Sequence, residues 1–99
     1  MAETIRLWGN TMLYRIYIGS NNKTGSLESA KAIRIVEKSF TGFTIIESNG
    51  YWKGSIEKSM IVEIETTDKP LLLKVVNKVR DHLSQDAVGL AKIGSMEFI

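Results

Sequence analysis

The sequence has no cysteine, a single proline, a single histidine and no long apolar run. Without cysteine there is no disulfide framework, no thiolate metal site and no cysteine nucleophile, and the composition suits a reducing, cytoplasmic setting. No apolar stretch approaches the roughly 20 residues that a bilayer-spanning helix needs, and residues 1–12 lack the apolar centre of a secretory signal, so membrane insertion is not expected. Charge of one sign is also missing. Thirteen basic and eleven acidic residues give a formal charge of +2 with no like-charged run, a weak footprint for a polyanion partner. His82, with Asp81 and Asp86 nearby, is expected to act on a helix dipole rather than hold a metal. No cofactor is expected.

What is present describes one small domain. A chain of 99 residues with 43% hydrophobic and 24% charged side chains has the composition of a folded protein, although a domain this short buries only about 60–65% of its unfolded surface. The domain is read as residues 12–99. Residues 1–11, with Arg6, Trp8, Gly9 and Asn10, show no periodicity and are read as an appendage: a mobile arm, an extra edge strand or an upstream start.

Leu13 to Ile18 is rich in β-branched and aromatic residues and predicts a first strand. Gly19 to Gly25 collects residues that stabilise turns and predicts a loop. Ser26 is expected to cap a helix over about 27–39, in which Leu27, Ala30, Ile33, Val36 and Phe40 recur at helical steps. Thr41 and Gly42 stop it. Phe43 to Glu47 predicts a second strand, broken by Ser48-Asn49-Gly50, and 47–59 a long hairpin. Met60 to Thr66 alternates as a third strand. Thr67 or Asp68 caps a second helix with Pro70 in its first turn and an apolar stripe of Leu72, Val75, Val76, Val79 and Leu83. Val88 to Ile93 predicts a fourth strand.

Strand, helix, strand, strand, helix, strand is the order of an α+β, ferredoxin-like βαββαβ sandwich with a four-stranded antiparallel sheet in order 4-1-3-2 and both helices on one face. Ile16, Ile18, Val62 and Ile64 then face the helices. Arg15 and Tyr17 share the other face with Glu63 and Glu65, and Arg15 is expected to pair with one of those acids. That uncovered face is expected to carry Leu13, Tyr17, Phe43, Ile45 and Ile61, an apolar patch that favours association.

This order and the long hairpin resemble the PII and CutA superfamily of ferredoxin-like trimers. More narrowly, Gly42-Phe43-Thr44, Gly50-Tyr51-Trp52 through Glu57 and Ser59, and Gln85-Asp86-Ala87-Val88 are similar to a family of bacterial proteins of uncharacterised function. The resemblance implies the fold and a trimer. It implies no ligand, because the chain lacks cysteine for copper and does not clearly reproduce the basic nucleotide contacts of PII proteins between 47 and 59.

Trp52, beside Tyr51 and Lys53, places a large aromatic on the hairpin, where it can pack against another subunit, fold over its own sheet or stack on a ligand. Gly19 to Gly25, followed by Ser26, could bind a small anionic ligand through backbone amides, or be an ordinary loop; the spacing of a P-loop is absent. The ligand-binding candidates are Tyr17, Lys23, Trp52 and Lys53. The subunit-interface candidates are Leu13, Arg15, Ile45, Trp52 and Glu63.

The function expected is a homo-oligomeric ligand-binding or regulatory module, a trimer favoured over a dimer. Two alternatives stand beside it. Ile16-Tyr17-Ile18-Gly19-Ser20-Asn21 looks like the first-strand motif of the RNA-recognition fold, but 59–65 lacks the stacking aromatics of its third strand and adds two acids. An enzyme could form its site between subunits from Tyr14, Arg15, Tyr17 and Glu63.

Overall fold

The computed structural model describes residues 11–99, so the appendage expected over 1–11 lies outside the described residues except for Thr11, which begins the first strand. The elements in chain order are β1 (Thr11–Ile18), α1 (Ser29–Glu37), β2 (Thr44–Trp52), β3 (Ser55–Thr66), α2 (Lys69–His82) and β4 (Gly89–Met96). The four strands form one antiparallel sheet in order β2-β3-β1-β4, the expected 4-1-3-2 order read from the other edge.

Period-two alternation sets the core. Tyr14, Ile16 and Ile18 of β1 and Met60, Val62 and Ile64 of β3 bury their side chains against Ala32 and Val36 of α1 and Leu72, Val75, Val76 and Val79 of α2. Each fully buried aliphatic contributes about 1.5–3 kcal/mol relative to exposure. Both helices therefore cover one face, with Phe40 and Leu83, just past their ends, closing the same cluster. The side chain of Asp68 caps α2 by accepting from the Leu71 N–H at 3.0 Å, and Pro70 occupies the first turn.

Three expectations are corrected. Ser26 does not cap α1. The N-cap is Glu28, whose side chain accepts no helix N–H, because Asn21 folds 21–26 into a closed turn, with the Asn21 N–H donating to the Ser26 carbonyl at 2.8 Å. Ser48-Asn49-Gly50 does not break β2. Pairing with β3 carries the strand to Trp52, and the hairpin reverses at Lys53-Gly54, where both residues have positive φ (49° and 80°) as a type I′ turn requires. Phe43 and Ile45 do not lie on the uncovered face: Ile45 pairs with Val62, a core residue, and Phe43 packs against the core cluster. Ile46, paired with Ile61, takes that place.

The fourth strand outruns its expected end at Ile93. The register shifts between Leu13, opposite Gly94, and Tyr14, opposite Lys92, so Ile93 is an extra, exposed residue at a bulge.

Candidate functional site

The sheet face away from the helices, which no element of the described residues covers, is organised in rows that cross the strands. One row runs Ile46, Ile61, Tyr17, Gly89; the next runs Thr44, Glu63, Arg15, Ala91. Tyr17, on a central strand, is 42% exposed and Ile46, on the β2 edge strand, 37%. Arg15 Nε donates to Glu63 Oε2 at 2.7 Å, the expected cross-strand pair. That bond, and next the Tyr17 hydroxyl, raise the Arg15 pKa above its ordinary value, so the guanidinium is charged at any working pH. Tyr14 sits on the opposite face, buried at 7% exposure, and is withdrawn from any site formed on this surface.

At the end of the face nearest the hairpin the surface becomes polar. Ser48 and Ser59, opposite each other on β2 and β3, share a hydroxyl hydrogen bond at 2.7 Å. The next pair is Gly50 and Glu57. The Glu57 carboxylate lies across Gly19, where a Cβ would stand 3.0 Å from its Oε1, and against Gly50, where the nearest contact of a Cβ would be 3.6 Å. Gly19 thus leaves room for the carboxylate, while at Gly50 a Cβ would make only ordinary contact with it.

The ground under that carboxylate is fixed from three directions. Gln85, past the end of α2, accepts from the Gly19 N–H at 3.3 Å and donates to the carbonyls of Gly19 at 3.1 Å and Ser20 at 2.6 Å. The Ser20 hydroxyl donates to the Lys58 carbonyl at 2.8 Å. The helix end, the end of β1 and the base of the hairpin are joined through these four contacts.

On the helix side of the hairpin base lies a cleft beside the start of α1. It has two grooves, about 500 and 600 Å³, which share Leu27, Ser29, Glu47 and Lys58. Ile33, Ile45 and Met60 supply an apolar wall to the first, and Ser20, Ser26 and Glu57 border the second. Volumes of this order suit a small organic ligand.

The structure does not gather the sequence-predicted ligand residues into one place. Tyr17 is in the central row. Trp52 stands six positions beyond Ile46 on β2, about 20 Å along a strand, with Lys53 Nζ 5.7 Å from its ring. Lys23 is on the exposed β1–α1 loop, whose amides are engaged: those of Lys23 and Thr24 donate to Asn21 Oδ1, that of Gly25 to the Asn21 carbonyl and that of Ser26 to Thr24 Oγ1. The row of free amides that an anion would need is therefore used by the loop itself. Of the interface candidates, Leu13, Arg15 and Glu63 share the uncovered face, Trp52 extends it along the hairpin, and Ile45 lines the cleft instead. His82 Nδ1–H donates to the Lys78 carbonyl at 2.9 Å in the last turn of α2.

Glu47, Glu57, Lys58 and Gln85 carried no assigned role in the sequence reading. Glu57, Ser59 and Gln85 lie within the motifs that carry the family resemblance, and Gly19, where a Cβ would stand 3.0 Å from Glu57 Oε1, is the position that could have pointed to a side chain crossing there. Among the described residues no three His, Asp or Glu side chains cluster to hold a metal, and no helix is long and apolar enough to cross a membrane.

No protein-family model matches the chain. No curated protein matches it by sequence. Solved structures do. A phage SAM lyase in its apo state is similar with a TM-score of 0.62 at 17% identity, over 94% of this chain and 89% of that one. The periplasmic divalent cation tolerance protein CutA of Archaeoglobus fulgidus aligns at a TM-score of 0.48 and 23% identity, over 89% and 88% of the two chains. CutA1 of Pyrococcus horikoshii aligns at 0.47 and 15%, over 82% and 81%. The chain has the ferredoxin-like βαββαβ fold, as its order of elements and its sheet establish, and its likeness to the phage lyase is one of fold.

Proposed function

We propose that this protein is a homo-oligomer, a trimer, in which the uncovered sheet faces meet and a small molecule is held at the seam beside Glu57. The observation that carries the reading is the uncovered face itself, with Tyr17, Ile46 and Ile61 around the Arg15–Glu63 pair. One layer of helices shields one side of a four-stranded sheet, and a second copy of the same patch is complementary to it in apolar character. The single aromatic in its central row, and the acids Glu63 and Glu65, weigh against an RNA-stacking surface. The lack of cysteine supports a cytoplasmic setting for the same assembly. Native mass spectrometry of protein taken directly from its source reads subunit number and any retained molecule together; a bare monomer removes the reading.

A second reading, an enzyme with its site between subunits, is favoured by Glu57. A carboxylate seated between two glycines at the border of the uncovered face and the cleft is placed to attract a cation, and SAM, named for the phage lyase of similar fold, carries a sulfonium cation. In this reading Glu57 contacts the ligand, Gln85 and Ser20 position the strand ends around it, and Trp52, diagonal to Glu57 across the hairpin, is the aromatic beside it on the same face. Chromatography of SAM incubated with the protein tests it. Turnover abolished by Glu57→Gln in an intact assembly supports the enzyme; SAM recovered unchanged leaves the binding module.

A further inference from the structure

Glu47 and Lys58 are two opposite charges that line the same cleft. Both border each of its two grooves. The register places Glu47 opposite Met60 and Lys58 opposite Asn49, so the two are diagonal neighbours on one side of the hairpin, with about 7–8 Å between such positions. Among the described residues the ion pairs are Arg15–Glu63, Lys31–Glu28 and Arg80–Asp81; Glu47 and Lys58 take part in none of them.

We propose that this pair recognises the head of an α-amino acid, Glu47 accepting from the ligand ammonium and Lys58 donating to the ligand carboxylate. The proposal deepens the small-molecule reading above and rests on it. The charges select the ligand class. A simple anion meets Glu47 and, at the border of the second groove, Glu57; a simple cation meets Lys58. A zwitterion satisfies both signs at once, through charge-assisted hydrogen bonds. The remaining lining fits the rest of such a molecule. Ser26, Ser29 and Asn49 offer polar groups, and Leu27, Ile33, Ile45 and Met60 form an apolar wall for a stem. SAM is a ligand of this class, since it carries an amino-acid head on its sulfonium centre. With the head between Glu47 and Lys58, the Glu57 carboxylate is the acid beside the cleft that remains for the sulfonium.

Calorimetric titration of the full chain with two probes tests this: SAM, and 5′-methylthioadenosine, which lacks both the amino-acid head and the sulfonium charge, so that the Lys58 variant, whose lost cation can weaken SAM only through the carboxylate, isolates the head. Wild-type protein is expected to bind SAM more tightly than 5′-methylthioadenosine. Glu47→Gln and Lys58→Met are each expected to weaken SAM about tenfold or more, the loss of one charged hydrogen bond, while leaving 5′-methylthioadenosine binding and the assembly mass unchanged. Equal affinity of the wild type for both probes, or variants that bind SAM as tightly as the wild type, overturns the proposal and leaves the small-molecule reading in place. Variants that lose both probes alike also overturn it, since their effect is then structural. If the wild type binds neither probe the proposal falls, and the retained mass in the native spectrum decides the broader reading separately.

Discussion

Along β1, Tyr14, Ile16 and Ile18 are buried beneath two helices, while Leu13, Arg15 and Tyr17, one position away each time, lie on a surface that no element of the described residues covers. The same backbone and the same hydrogen-bond ladder serve both. The helix side obtains its stability within one chain from close packing of aliphatic groups. The uncovered side combines exposed apolar residues with a charge pair, and in the proposed assembly a second copy buries it. A substitution on the first side should therefore act on folding, and one on the second on assembly.

The largest effect is expected on the helix side. Ile16→Ala removes a fully buried side chain and is expected to cost about 2–5 kcal/mol, a large part of the roughly 5–15 kcal/mol that holds a domain of this kind. Urea unfolding of the variant reads this as a lower midpoint at an unchanged slope. Across the sheet, Tyr17→Asp is expected to reduce the sedimenting species to one 11.1 kDa subunit while keeping the far-ultraviolet circular dichroism of the fold. Unfolding of the Tyr17→Asp chain would erase the distinction between the two faces.

Smaller effects sharpen it. Asp68→Ala, which removes the cap on Leu71, is expected to cost about 1 kcal/mol, whereas Ser26→Ala, at a residue that caps nothing, is expected to leave the urea midpoint where it was. The smallest effect is set by pH. Glu63 and Tyr17 raise the Arg15 pKa, so whatever the cation contributes is fully present below the ordinary arginine pKa and is lost only as pH rises through the raised value in strong alkali. Assembly between about pH 6 and 9 should therefore show no step from this guanidinium. Arg15→Met, tested by sedimentation over that range, should change the mass distribution equally at every pH.

The order of elements was legible because β1, β3 and α2 each repeat their apolar residues with one unambiguous period; in α1 the expected stripe is shifted, since Ala30 is exposed and Ala32 is buried with Val36. β2 was not legible. Ile45 and Ile46 are adjacent and both apolar, so alternation has no phase there, and only pairing of Ile45 with Val62 decides which one faces the helices. The cap of α1 was misread because Asn21 draws Ser26 into a closed turn and its side-chain amide donates to Glu28, so the helix begins only at Ser29. Arg15 with Glu63 was legible from strand parity. Glu57 was not assigned, since its place depends on Gly19 of another strand and on Gln85 past α2, groups brought together only by the tertiary fold.

The central claim is that the uncovered face is closed by copies of the same chain. Sedimentation velocity at micromolar concentration measures this directly. A single species at three times the 11.1 kDa subunit mass, lost in Tyr17→Asp and kept in Ser26→Ala, is the predicted result. A stable wild-type monomer across that concentration range would contradict it.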